Sequence, residues 1–221
     1  MSIQIKICGI TSADAADAAM RAGADFAGLN FYPGSPRNLT QDQASSLAAR
    51  IRGRSRLVVL LADARDAEIA AAIAAAKPDF IQLHGRETPE RVAAVRLHFG
   101  LPVIKAISIA DAADLAQVSA FEGVADMMLF DAKAPPNALR PGGHGVAFDW
   151  QLLRGRTFAR PWLLAGGITS ENVGRAIHSA AAPGVDVSSG VETAPGIKSA
   201  DMIREFVAAV RSAEFAKEPQ S

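Results

Sequence analysis

One rhythm constrains this chain more than any other feature. A short apolar run closes in a polar or glycine-bearing turn, an alanine-rich helical stretch follows, and the pattern restarts. The apolar runs Ile3–Cys8, Phe26–Phe31, Leu57–Leu61, Phe80–Leu83, Val103–Ile107, Met127–Phe130, Trp162–Ala165 and Val185–Val187 predict eight strands. Leu57-Val58-Val59-Leu60-Leu61 is apolar without a break, the pattern of a strand covered on both faces, as in a parallel sheet under helices. Helices are predicted over Ser12–Ala22, Thr40–Ile51, Asp66–Ala76, Thr88–Phe99, Asp111–Val118, Ser170–Ala181 and Ala200–Ala213. Ser12 caps the first and Gly23 stops it, while Thr88-Pro89 combines an N-cap with proline at the first helical position. The sixth slot is poor, with only Asp149–Leu153 helical in character after a long Gly/Pro-rich stretch.

Eight such units in 221 residues average about 28 residues each, near the minimum for a (β/α)8 barrel. The expected fold is therefore α/β: a single compact TIM barrel of parallel strands with a degenerate helix in the sixth unit. An open doubly wound sheet is the alternative, with fewer strands and edges to protect. No linker or composition shift divides the chain, so the barrel domain is expected over residues 1–214, with a polar C-terminal tail at 215–221.

Composition excludes several function classes. The 23 Lys+Arg balance 23 Asp+Glu, which argues against an electrostatic grip on nucleic acid. No apolar run approaches the roughly 18–20 residues of a membrane span. The start, MSIQIKICGI, is too short and polar for a secretory signal, so a cytoplasmic location is expected. The one cysteine, Cys8, can form neither an internal disulfide nor a cysteine zinc cluster.

A barrel of this kind carries its active site at the C-terminal strand ends and the loops after them. Polar residues that fall there are Lys6 and Cys8, Asn30, Asp63, Gln82 and His84, Lys105, Asp131, and Asp186 with Ser188 and Ser189. A lone cysteine is ordinarily a small buried hydrophobe, but one before a glycine at a strand end is placed to act as a thiol. Alternation puts it on the same face as Lys6. Asp131 follows the apolar Met127-Met128-Leu129-Phe130 and precedes a long loop rather than a helix, which favours acid/base work over capping. Gly166 and Gly167 follow strand seven, and Ser188, Ser189 and Gly190 follow strand eight. Small residues let backbone N–H groups approach a ligand, helix N-termini favour anions, and these two loops are the recurrent phosphate site of the fold. Arg37 closes the turn-rich loop after strand two, and its guanidinium suits a planar carboxylate. No metal site is expected, because no second His and no acidic pair stand at ligand spacing around Gln82 and His84. Dinucleotide and P-loop signatures are missing as well.

The motifs Lys6-Ile7-Cys8-Gly9, Ser35-Pro36-Arg37, Gln82-Leu83-His84-Gly85, Phe148-Asp149-Trp150, Leu164-Ala165-Gly166-Gly167-Ile168, Val185–Glu192 and Pro195-Gly196-Ile197-Lys198 occur in one order along nearly the whole chain. That ordered set resembles the phosphoribosylanthranilate isomerase family. Gly143-His144-Gly145-Val146 departs from the family's usual Gly-Gly-Thr-Gly with a following lysine.

The resemblance implies a (β/α)8 barrel of tryptophan biosynthesis. It would convert N-(5-phosphoribosyl)anthranilate to 1-(2-carboxyphenylamino)-1-deoxyribulose 5-phosphate by a cofactor-free Amadori rearrangement. The implied roles are Cys8 as general base and Asp131 as general acid. Arg37 would hold the anthranilate carboxylate, and Gly166, Gly167, Ser188, Ser189 and Gly190 the phosphate. Lys6, Asn30, Gln82, His84 and Asp186 would line the remaining substrate pocket. The expected partner is a small sugar-phosphate substrate, and the expected assembly a monomer or weak homodimer. A pentose-phosphate epimerase would call for metal-ligand His and Asp at strand ends, a set this sequence lacks; an indole-glycerol-phosphate synthase using Lys105 and a non-catalytic sugar-phosphate-binding module stay open at this point. Turnover of the analogous histidine-pathway intermediate is open too.

Overall fold

Eight parallel strands close on themselves: β1 (Gln4–Cys8), β2 (Phe26–Asn30), β3 (Arg56–Leu61), β4 (Phe80–Leu83), β5 (Val103–Ile109), β6 (Met127–Ala132), β7 (Trp162–Leu164) and β8 (Gly184–Val187). Each pairs with the next, and β8 returns to β1 with Asp186 opposite Lys6 and Val187 opposite Ile7. The computed structural model describes residues 2–133 and 147–215. The expected segment around His144 and most of the polar tail lie outside the described residues.

The outer ring begins with α1 (Ala13–Ala22), where the Ser12 side chain accepts from the Ala15 N–H and Gly23 ends the helix at φ 83°. With Met20 beside them, Ala15, Ala16, Ala18 and Ala19 make up most of its buried face. Side chains this small let the helix lie close against the strands. Next come α2 (Gln41–Ile51), started by a Thr40/Gln43 capping box, α3 (Asp66–Ala76), and α4 (Pro89–Phe99), capped by Thr88.

Three elements differ from the sequence expectation. The fifth unit is a 3-10 helix over Ala112–Gln117 followed by α5 (Val118–Glu122), not a helix over Asp111–Val118. Asp111 accepts from Ala113 and Asp114, while Asp114 accepts from Ala110, and this crossed capping tightens the first turn. The helix α6 (Val173–Ala180) begins later than Ser170. Asn172 explains the delay, because its side chain accepts from the Thr169 N–H and donates to the Gly167 carbonyl, holding the loop open. After β8 the chain makes a 3-10 turn, Ser189–Val191, and then an antiparallel hairpin of β9 (Glu192–Ala194) and β10 (Ile197–Lys198) that sequence periodicity did not reveal. Among the described residues of the sixth unit, the helical element is a 3-10 turn over Trp150–Leu153, within the expected Asp149–Leu153. The last helix, α7 (Ala200–Phe215), packs between α1 and α6 and closes the ring.

Alternation divides each strand between two cores. Phe26, Val58, Ile104, Met127, Leu129 and Leu163 fill the lower barrel interior, and the intervening residues face the helices. Counting upward from this apolar floor by twos brings Lys6, Cys8, Asn30, Gln82, His84, Asp131 and Asp186 to the inward face at the C-terminal end of the barrel.

Candidate active site

Beneath the mouth of the barrel lies an ion pair. The Lys6 ammonium is wholly buried and donates to Oδ1 of Asp186 at 2.9 Å. Burial works against the charged lysine, but Asp186 and Cys8 outweigh it and hold the Lys6 pKa above its ordinary value. Both side chains were expected to line the substrate pocket, and the structure brings them together as partners of each other.

Cys8 stands one inward position above Lys6. Gly28 on β2 gives the sulfur its room, since a Cβ there would lie 3.1 Å from Sγ. Burial pushes the Cys8 thiol up, Asp186 adds to that, and the ammonium groups of Lys6 and Lys198 pull it down. The thiol therefore sits among charges whose balance sets how readily it loses a proton.

Across the barrel, Gln82, His84 and Asp131 form a chain. Gln82 Nε2 lies 2.9 Å from His84 Nδ1, and His84 Nε2 lies 3.1 Å from Asp131 Oδ2. An amide nitrogen can only donate, so Nδ1 is the acceptor and Nε2 carries the hydrogen directed at Asp131. The other carboxylate oxygen, Oδ1, accepts from the Ala132 N–H at 2.9 Å. Two donors thus fix the Asp131 carboxyl group at the end of β6. Gln82 Oε1 is buried without a hydrogen-bond partner among the described residues.

Arg37 is buried at the mouth and grips Glu192 side-on, with Nε to Oε1 and Nη2 to Oε2 both at 2.7 Å. Its stem crosses Gly9, where φ is +74° and a Cβ would come within 2.3 Å of Arg37 Cδ, so only glycine fits there. Asn30 shapes the loop that delivers Arg37. Its side chain donates to Ser35 Oγ and accepts from the Tyr32 N–H, and Ser35 Oγ accepts from the Arg37 N–H. Lys198 on β10 donates to Glu192 Oε1 at 3.0 Å and to the Ser188 carbonyl at 3.1 Å. Glu192 and Lys198 stood inside recognised motifs, but their roles were not legible there, because Glu192 meets Arg37 across 155 positions of sequence.

Gly166 and Gly167 turn the chain after β7, and Ser188, Ser189 and Gly190 turn it after β8. All five are half-buried at the same end of the barrel. The two loops touch through backbone, since a Cβ on Gly190 would stand 2.0 Å from the Ile168 carbonyl oxygen. Not every strand-end residue joins this assembly. Lys105 lies between inward-facing Ile104 and Ala106, so it points to the helical layer, where it pairs with buried Glu87 at 2.6 Å. Asp63 accepts from the Arg86 N–H and its own N–H donates to Glu87, so it ties the loop after β3 to the loop after β4. No group of three or more His, Cys, Asp or Glu suited to a metal ion occurs among the described residues.

The inward polar groups thus fall into three sets: a thiol beside lysines, a carboxyl held by an imidazole, and small-residue loops beside an arginine clamp. Residues 5–209 match the sequence family described as N-(5'phosphoribosyl)anthranilate (PRA) isomerase. A protein of Paramagnetospirillum magneticum named N-(5'-phosphoribosyl)anthranilate isomerase is 51% identical over 211 residues, 96% of this chain and 98% of that one. One of Azorhizobium caulinodans with the same name is 50% identical over 219 residues, 99% and 96% of the two chains. Among solved structures, the phosphoribosyl anthranilate isomerase of Thermotoga maritima superposes with a TM-score of 0.83 at 30% identity, covering 95% of this chain and 99% of that one. A further structure of such an isomerase, in complex with reduced 1-(o-carboxyphenylamino)-1-deoxyribulose 5-phosphate, gives 0.80 at 29% identity with the same coverage.

Proposed function

Since the chain belongs to the N-(5'-phosphoribosyl)anthranilate isomerase family, a family of aldose–ketose isomerases of tryptophan biosynthesis, we propose that Cys8 and Asp131 are its general base and general acid. The observation that carries this reading is their placement. One thiol and one imidazole-held carboxyl face inward at the C-terminal ends of β1 and β6, above a floor closed by apolar side chains.

Asp131 protonates the furanose oxygen of N-(5-phosphoribosyl)anthranilate, and the C1–O bond breaks. The nitrogen lone pair forms an iminium at C1, which acidifies the hydrogen on C2. The Cys8 thiolate removes that proton, and the C2–H electrons move to form the C1–C2 double bond of an enolamine. The enolamine then gains a proton at C1 and releases the C2 hydroxyl proton, giving the ketose. No net redox partner is needed, because C1 is reduced as C2 is oxidised.

The remaining groups position the substrate. Arg37 holds the anthranilate carboxylate. The loops of Gly166 and Gly167 and of Ser188, Ser189 and Gly190 hold the phosphate through backbone N–H groups. Gln82 Oε1, an inward-facing acceptor with no partner among the described residues, takes a ribose hydroxyl. Anchoring both ends places C2 at the thiol, and such positioning contributes several kcal/mol, within the ~7–11 kcal/mol ceiling of oriented reactions. The outward turn of Lys105 removes the feature that favoured a synthase. A monomer or weak homodimer is proposed on the scarcity of large exposed apolar side chains, which among the described residues are Leu97 and Ile197.

The test is direct. Substrate formed in situ from anthranilate and ribose 5-phosphate should lose its anthranilate-type fluorescence when the purified chain is added. Binding of the phosphate ester without turnover would instead favour a binding module.

A further inference from the structure

The Glu192 carboxylate accepts from four donors: Arg37 Nε and Nη2, Lys198 Nζ at 3.0 Å, and the Gly196 N–H at 3.2 Å. Its side chain is only 3% exposed. The hairpin that carries it is itself held in place. Thr11 donates to the Gly196 carbonyl at 2.7 Å, and a Cβ on Gly196 would meet the Pro36 carbonyl oxygen at 2.6 Å. The loops after β1 and β2 therefore both press on the hairpin, beside the residue that precedes Arg37.

A guanidinium has five N–H donors in a rigid plane. Glu192 takes the side-on pair. Nη1 has no partner among the described residues, so the end-on edge, Nη1 with the second Nη2 hydrogen, is left for a second carboxylate. Two carboxylates on one guanidinium would leave a surplus negative charge. Lys198, buried against Glu192, is placed to offset it: burial lowers the Lys198 pKa below its ordinary value, and Glu192 opposes that fall. Lys198 also donates to the Ser188 carbonyl, which ties this clamp to the loop after β8.

We propose that Glu192, anchored by Lys198, is the positioning residue of the carboxylate clamp: it locks Arg37 side-on and presents the end-on guanidinium edge to the carboxylate of the substrate. The inference rests on the assignment of Arg37 to the anthranilate carboxylate. It adds a cause for the orientation of Arg37 and a reason for a buried acid to stand beside a site that binds an anion.

The experiment is calorimetric titration of the full chain with two ligands. One is reduced 1-(o-carboxyphenylamino)-1-deoxyribulose 5-phosphate, and the other is the same compound without the carboxylate. The ratio of their dissociation constants is the carboxylate preference. Glu192→Gln should shrink that preference by about 10- to 100-fold, the range for a lost charge-assisted hydrogen bond. Affinity for the ligand without the carboxylate should stay within about twofold of the parent chain. Lys198→Met should shrink the preference too, and Glu192→Asp should recover part of it. Thermal unfolding of each variant reports whether it is folded, and Glu192→Asp stands in if Glu192→Gln is not. A folded Glu192→Gln chain with the parent preference overturns the inference. So does an equal loss of affinity for both ligands, which would mark Glu192 as merely structural. If Arg37→Ala also keeps the parent preference, the assignment of Arg37 itself fails, and that outcome is distinguishable from failure of Glu192 alone.

Discussion

His84 holds Asp131 from one side, Nε2 to Oδ2 at 3.1 Å, while Gln82 behind it dictates which imidazole nitrogen carries the proton. Because the Ala132 N–H holds the other oxygen, the carboxyl plane cannot rotate without breaking a hydrogen bond. His84→Leu removes one of the two restraints and leaves the acid itself in place. We expect kcat to fall about 10-fold, less than the 10²–10⁴ of a lost general acid, with KM within about threefold. Steady-state kinetics would check it, and a rise in KM at constant kcat would instead make His84 a substrate contact.

The Lys6–Asp186 pair is wholly inside the barrel, so removing one partner strands a buried charge. Lys6→Met should destabilise the fold by about 3–5 kcal/mol in urea unfolding, and Lys6→Met with Asp186→Leu should recover much of that loss. Strict additivity of the two single changes would contradict the pairing.

Burial raises the Cys8 thiol, and Lys198 is one of the groups opposing that rise. The base is active as thiolate, so the ascending limb of kcat/KM against pH reports the free-enzyme thiol. Lys198→Met removes a charge that favours the thiolate, and the limb should move to higher pH. A limb that stays put or moves to lower pH would show that another group governs it.

Glu87 is buried against Lys105. Burial works to raise its carboxyl, yet Lys105 outweighs it and holds the pKa below the ordinary carboxylate value. A depressed carboxyl stabilises the fold above its unfolded pKa, and that contribution is lost as pH falls through the folded one. Glu87→Gln should therefore lose about 3 kcal/mol at neutral pH. In acid the parent and variant unfolding curves should converge. A gap that persists in acid would locate the effect in packing rather than charge.

The barrel was legible in the sequence because its strands are apolar runs bounded by turns, and β4 begins and ends where the sequence places it. Inward and outward placement was legible by parity for Lys6, Cys8, Gln82 and His84. The same parity applied to Ile104 and Ala106 would have turned Lys105 outward. The fifth helix misled because the crossed side-chain bonds of Asp111 and Asp114 tighten a turn that composition alone makes α-helical. The hairpin of Glu192 and Lys198 was illegible because its strands span only three and two residues, too short for any period to show. The clamp of Glu192 on Arg37 is a tertiary contact with no local signature.

The central claim is that one thiol and one carboxyl carry the proton transfers. It is tested by measuring turnover of N-(5-phosphoribosyl)anthranilate, generated in situ, by Cys8→Ala and Asp131→Asn. Circular dichroism would first verify that both variants fold. The expected result is a fall in kcat of about 100-fold or more in each, with affinity for the reduced product analogue retained. Near-parental turnover by either folded variant would contradict the assignment.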